Sequence, residues 1–220
     1  MSIRATFGRK WMRNRHRNVR STLAEARVGA ICDDPTKIVI GLGGGMEGRG
    51  PRNIINLNIE KFDYVDLVAD AHHLPLRDGS VDAVHCGAVF EHLRDPQDAA
   101  AELFRVMKPG AIGFVGTPFM QPFHGYPSHF QNFTLFGHRR LFERAGFKIL
   151  DSGVCTGPAW TIAGLVLAFI STYSPRFMKW PLLTLWFPIG LFLIRPLDRW
   201  LVSNNEAHVL ASTTFVLIGK

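Results

Sequence analysis

Three groups of residues in this chain have types and spacing that could do chemistry. The first is Lys37-Ile-Val-Ile-Gly-Leu-Gly-Gly-Gly45, where an apolar run over 38–40 ends in glycines at 41, 43, 44 and 45. A buried strand that enters a turn of bare backbone reads this way, because glycine permits positive φ and lets amide N–H groups face a polar ligand. The second is the loop 118–134, which holds His124, Tyr126 and His129 among Phe119, Phe123, Phe130 and Phe133. Histidine titrates near neutrality and suits proton abstraction from a hydroxyl. Gly125 leaves the side of His124 accessible, so His124 is the first candidate base. The third is Glu91-His92, with His92 as the alternative base. Each histidine taken singly also fits a plain structural hydrogen-bonding role. No histidine–carboxylate pair has metal-ligand spacing, so no metal is expected. Cys32, Cys86 and Cys155 share no close spacing, which argues against a zinc knuckle or a dense disulfide frame and fits a reducing interior.

The elements that must position these residues alternate between strand and helix. After the glycine turn, 53–60 reads as a second strand with a polar end, and 65–71 as a third that ends at Asp70. A proline turn leads into a fourth strand whose exit is Cys86-Gly87. Asp95 is the expected N-cap of the next helix, with Pro96 at its first position and Pro109-Gly110 as its stop. Ala99, Leu103 and Met107 line one face of that helix. A fifth strand is expected over 111–117. Thr134 should cap a helix over 135–145 that stops at Gly146. Sixth and seventh strands are expected over 147–154 and 208–218. A nicotinamide-type G-x-G-x-x-G turn would need glycine at position 46, where Met46 stands. The Gly/Pro-containing 47–52 leaves no room for a long helix there.

The glycine turn, the stretch Asp70-Ala-His-His-Leu-Pro-Leu-Arg-Asp-Gly-Ser-Val-Asp82 and Glu91-His92 before a helix together resemble the class I S-adenosylmethionine-dependent methyltransferases. The likeness is to the methyltransferase type 11 group, over about 37–150 and again over 208–220. It implies an α/β fold: a Rossmann-like seven-stranded, mostly parallel sheet with an antiparallel last strand between the fifth and sixth. It also implies S-adenosyl-L-methionine as cofactor, bound outside the carboxyl ends of the strands. On that basis Gly41, Gly43, Gly45, Asn58, Asp70, Ala71 and Gly87 would bind the cofactor. Asp70 would accept from the adenine amino group and Ala71 would supply a backbone N–H, whereas Asp70 alone reads equally as a turn or cap residue. Two positions depart from the pattern. Ile40 stands where an acidic residue is usual, and Asn58 stands where a carboxylate usually grips the ribose diol. A charge-assisted bond is roughly twice as strong as a neutral one. Glu60, two residues on and facing the same way, is the expected substitute.

The chain has 220 residues, 47% hydrophobic and 20% charged, which suits one folded domain with an insertion. The net charge of +7 favours an anionic partner: acidic lipid, a phosphorylated carrier or nucleic acid. Three parts are expected: a basic arm over 1–30, a methyltransferase domain over 31–220, and within it an apolar helical hairpin over 156–204. The arm has no acidic residue in its first 20 positions and lacks the apolar core of a secretory signal, so it is expected to stay in the mature protein. The hairpin has no charged residue over 157–175 or 180–194. It reads as a lid, a dimer surface or, preferred here, a monotopic membrane contact flanked by Trp160, Trp180, Trp186 and Trp200. The expected activity is methylation of a small or lipid-linked acceptor, saccharide or polyprenyl in type, at the cytoplasmic face of the cell membrane. O-methylation with a histidine base is the expected chemistry. A degenerate, non-catalytic scaffold is the alternative. RNA methylation ranks below both, since Cys86-Gly-Ala-Val89 is not the Asn-Pro-Pro-aromatic exit that holds a flipped base.

Overall fold

Every residue of Val39–Leu42 (β1) is buried, as a strand covered on both faces requires. The structure, a computed structural model, describes residues 18–44, 53–125 and 128–220. The remaining strands are Ile54–Asn58 (β2), Leu67–Val68 (β3), Val81–Gly87 (β4), Met107–Pro118 (β5), Lys148–Thr156 (β6) and Thr213–Gly219 (β7). They form one sheet in the order β3-β2-β1-β4-β5-β7-β6. β7 runs antiparallel between β5 and β6, and the other neighbours pair in parallel, as the resemblance implies.

Alternate strand residues face opposite layers. Val39, Ala83, Phe114, Phe215 and Leu217 pack against Ala24, Val28 and Cys32 of the helix Val19–Cys32 (α1). Ile40, Leu42, Val84, Cys86, Val115 and Val216 pack on the other side with Leu103 and Phe142. Those two come from Pro96–Val106 (α2) and Leu135–Arg144 (α3). α1 differs from the expected arm: Ser21, Ala24, Val28 and Cys32 form a buried stripe at helical spacing. Asn18 caps it, accepting from the Arg20 amide at 2.8 Å while its Nδ2 donates to the Val202 carbonyl at 2.7 Å. The 19–30 part of the expected arm is therefore a layer of the domain. Its 1–17 part lies outside the described residues, as do Gly45 and Tyr126.

Boundaries moved where strand pairing overrode local signals. α2 ends at Val106 because Met107 already pairs with Val81; Pro109-Gly110 lies within β5 and does not stop the helix. Asp95 sits at the N-cap without a capping side-chain bond. The 208–212 stretch is not strand: Ala207–Leu210 is a 3-10 turn and β7 begins at Thr213. Thr134 behaves as expected, accepting from the Gly137 amide at 3.1 Å.

The apolar insertion is a hairpin of Pro158–Tyr173 (α4) and Arg176–Pro188 (α5), the latter running on through 189–197 into Asp198–Leu201 (α6). Its base is fixed by polar groups. Asp198, buried, accepts from the Ala159 and Trp160 amides at 3.0 and 2.9 Å, and the Arg195 guanidinium lies 3.6 Å from the Trp160 ring centre. The distal part is bare: α5 buries no residue, and Phe177, Trp180, Phe192 and Trp200 are all more than half exposed. Residues 176–201 are, among the described residues, long and apolar enough to cross a membrane. Since β5 and β6 are both antiparallel to β7, β6 runs parallel to β5. The hairpin that follows Thr156 therefore emerges at the carboxyl edge of the sheet.

Candidate active site

β1 pairs with β2 on one side and β4 on the other, so the strand order reverses at its carboxyl end, where open α/β sheets bind ligands. A crevice of about 740 Å³ opens there, a size suited to a small-molecule ligand. It is lined by Gly43, Asn58, Asp70, Ala71, Gly87 and His92, so the fold brings together six of the residues expected from the sequence. Gly43 has φ +74°, and a Cβ there would stand 2.3 Å from Val89 Cγ2, so no other residue fits without displacing the wall. A Cβ on Gly87 would meet nothing within 4 Å. Gly41 plays a different part from the one expected: it is buried inside β1, where a Cβ would lie 2.9 Å from Asn56 Oδ1.

Asp70 is half-exposed, and its Oδ1 accepts from the His72 amide at 2.9 Å and faces His72 Nδ1 at 2.6 Å. Those bonds, the amide first, hold its carboxyl below the usual range. It is thus both the turn residue and a crevice-facing anion. The turn that carries it is pinned from α2. Leu74 N donates to Glu102 Oε2 at 2.9 Å, and Arg105 bridges Glu102, Asp78 and the Leu74 and Leu76 carbonyls. Asn58 differs from expectation. Its Nδ2 donates to the Gly44 carbonyl at 3.1 Å and its Oδ1 accepts from the Glu60 amide at 3.3 Å, so the amide braces the glycine turn. Glu60 also lines the crevice. Ala88, which sequence reading passed over, has φ +57°. Its amide donates to the Gly116 carbonyl at 2.9 Å, and the kink aims the chain from β4 into the 3-10 turn Phe90–His92.

At the rim stands a cluster that spacing along the chain does not reveal. Glu91 is fully buried, neither carboxylate oxygen has a hydrogen-bond partner, and burial pushes its pKa up to about 7. His92 Nε2 lies 3.7 Å and His124 Nε2 3.9 Å from Glu91 Oε1. Burial lowers the pKa of His92. The two expected bases therefore converge on one carboxyl, with the His124 and His129 ring centres 4.2 Å apart behind them.

Residues 51–115 match a family model described as a methyltransferase domain. The match takes in Asn58, Asp70, Ala71, Gly87 and His92 but not Gly43 or His124. A Mycolicibacterium smegmatis protein, a candidate S-adenosylmethionine-dependent methyltransferase, is 36% identical over 90 residues, covering 36% of this chain and 33% of that protein. An uncharacterized methyltransferase of Mycobacterium avium is 30% identical over 120 residues, covering 49% of this chain and 47% of that protein. The chain spans less than half the length of these curated relatives. Among solved structures, a cyclase named SpnF superposes with a TM-score of 0.57 at 15% identity, covering 91% of this chain and 81% of its own. A Galdieria sulphuraria protein, a candidate sarcosine dimethylglycine methyltransferase, also gives 0.57 at 15% identity, over 91% and 84%. At such identities these likenesses establish the fold.

Proposed function

We infer that this chain, which belongs to the class I S-adenosylmethionine-dependent methyltransferases, methylates a hydroxyl of a lipid-linked acceptor at a membrane surface. One observation carries the reading: the crevice with the Gly43 cradle and the Asp70 anion runs without a break to the Glu91–His92–His124 cluster, since His92 belongs to both. The crevice suits the family's cofactor in size, in a glycine that only bare backbone can fill, and in a carboxylate placed for an amino group. S-adenosylmethionine supplies an activated methyl, so that a C–S bond breaks as a bond to the acceptor oxygen forms. The chain's part is alignment, which can contribute on the order of 7–11 kcal/mol to such a displacement, and removal of the hydroxyl proton. His124 serves as the base: its Nδ1 lies 3.1 Å from the Pro122 carbonyl, which leaves the lone pair on Nε2 of this half-exposed ring.

The lipid-linked character rests on the hairpin. Its exposed apolar face emerges from the same sheet edge as the crevice, and none of its described residues lines that crevice, which argues against a lid. The 118–134 loop that carries His124 is tied to the hairpin's exit: Phe119 N donates to the Ser212 carbonyl at 2.8 Å, and Phe119 packs with Val202 and Ala211. One observation favours a second reading, a non-catalytic binding protein at the membrane: both ends of the Asn58 amide are engaged by backbone. The fold's likeness to a cyclase likewise leaves the reaction to be argued from the site.

Methyl-labelled S-adenosylmethionine, incubated with the protein and either a polar lipid extract or a soluble metabolite extract of the source cells, separates these readings. Label passing into the organic phase and lost in His124→Ala is the expected result. Label confined to the aqueous phase would overturn the lipid assignment. No label in either phase, from protein that binds the cofactor, would favour the binding protein.

A further inference from the structure

We propose that Glu91, His92 and His124 form a binding site for a late first-row divalent cation of the zinc type. Their ligand atoms, Glu91 Oε1 and the two Nε2 nitrogens, all lie within 4.8 Å of one another, and Oε1 is 3.7 and 3.9 Å from the nitrogens. Tetrahedral ligands at roughly 2.1 Å from zinc stand roughly 3.4 Å apart, so the set closes on a cation with side-chain shifts of about 1 Å or less.

Two observations independent of that proximity point the same way. The first is the Glu91 carboxyl, fully buried with both oxygens unpartnered in the protein. A buried carboxylate in that condition is costly unless a charge or donor meets it, and a cation is such a partner. The second is the state of the two imidazoles. His92 Nδ1 is in hydrogen-bonding contact with the Ser128 carbonyl, and His124 Nδ1 is 3.1 Å from the Pro122 carbonyl. A carbonyl can only accept, so each Nδ1 carries the proton and each Nε2 presents a lone pair toward Glu91. Metal-binding histidines are held in this way, by donation from the other ring nitrogen to a backbone carbonyl or carboxylate.

His129 is excluded as a ligand by the same reasoning. Its Nδ1 accepts from the His124 amide at 3.1 Å, so its Nε2 holds the proton it donates to Asn132 Oδ1 at 2.7 Å. Its place is to buttress the His124 ring. Two imidazoles and one carboxylate suit zinc, cobalt or ferrous iron, whereas magnesium and calcium prefer all-oxygen sets. Three protein ligands leave a fourth position open, as in catalytic zinc sites. His92 and Ser128 both line the crevice, so that position lies at its rim. With the cation bound, the His124 Nε2 lone pair would be engaged and His124 would no longer act as the base; the cation would instead lower the pKa of an acceptor hydroxyl that coordinates it. That role rests on the methyl-transfer reading, but the binding itself does not.

The test uses the full chain, freed of metal with a chelator and titrated with zinc in competition with a chromophoric chelator. S-adenosylhomocysteine binding is measured on the same samples. The expected result is one zinc per chain, weakened about tenfold or more in both Glu91→Gln and His124→Ala and unchanged in His208→Ala, a partly exposed histidine outside the cluster. Cobalt should give the spectrum of a tetrahedral site in the wild type, and magnesium should not compete. His124 is half-exposed, so His124→Ala keeps the test valid if the buried Glu91 substitution fails to fold. Zinc affinity equal in the wild type and both variants, or absent from well-folded wild type, would overturn the site. Zinc binding without S-adenosylhomocysteine binding would instead count against the methyl-transfer reading and leave the metal site standing.

Discussion

Gly43 and Val89 interlock at the mouth of the crevice, and their contact shows what a single Cβ does to the site. Gly43→Ala would combine a left-handed φ with a contact of 2.3 Å to Val89. Strain of that kind costs on the order of 1–3 kcal/mol. The variant should lose about tenfold or more in S-adenosylhomocysteine affinity by calorimetry, and adding Val89→Ala should recover part of the loss. Full affinity in Gly43→Ala alone would show that the turn is not a cofactor wall. His138 is a second residue with a consequence. Burial among Thr117, Thr214 and Phe142 pushes it down to about 3. The unfolded chain then holds the extra proton between about pH 6.5 and 3, so stability falls as pH falls through that window. Glu91, pushed up to about 7 from 4.5, acts oppositely: its contribution falls as pH rises between those values. His92, also lowered by burial, acts in the same sense as His138 and outweighs this opposition, so urea unfolding of the wild type should show stability falling as pH falls from about 6.5 to 5. Relative to the wild type, His138→Gln should gain up to about 1.4 kcal/mol per pH unit on acidification. A variant with the same pH slope as the wild type would contradict the argument. Asp70, Gly43 and Gly87 were legible in the sequence because glycine runs and strand-ending aspartates follow from local backbone chemistry. Glu91 as the centre of a cluster was not, because 33 residues of chain separate it from His124, and only the packing of the 118–134 loop closes that gap.

At the scale of elements, the strands were legible wherever hydrophobic runs ended in turn residues, and the antiparallel seventh strand lies between the fifth and sixth as the resemblance implies. The misplaced ends share one cause: hydrogen-bonding partners distant in sequence decide them. Met107 is drawn out of α2 by Val81, and residues 207–210 close a 3-10 turn on themselves, so that the continuous β5 and β6 pairing of β7 begins at Thr213. α1 was hidden because its buried stripe is small and its surroundings are basic. The hairpin was read from its lack of charge, but its fixation was not. Asp198 satisfies two α4 amides, and the Arg195 guanidinium lies over the Trp160 ring. Asp198→Ala would leave two α4 amides without their acceptor, a loss of about 1–3 kcal/mol. Limited proteolysis should then cut within 158–201 before the sheet domain. Cleavage no faster than in the wild type would show the hairpin to be held by its apolar contacts alone.

For the whole molecule, the sheet edge that opens the crevice is also the edge from which a bare apolar hairpin leaves. Arg176, Lys179 and Arg199 punctuate that hairpin, and the chain carries a net charge of +7. This geometry suits a domain that rests on an anionic bilayer with its crevice open toward it. The protein should sediment with vesicles containing acidic lipid. The triple variant Phe177→Ser, Trp180→Ser, Phe192→Ser should shift it to the supernatant without loss of cofactor affinity. Equal partition of the two proteins would assign those side chains to a contact between copies of the chain. The account as a whole depends on the crevice being a cofactor site, and calorimetry of S-adenosylhomocysteine against wild type and Asp70→Ala tests that most directly. Micromolar binding that weakens about 10- to 100-fold on loss of the carboxylate is the predicted result. Well-folded wild type that binds nothing, or binds as tightly without Asp70, would contradict it.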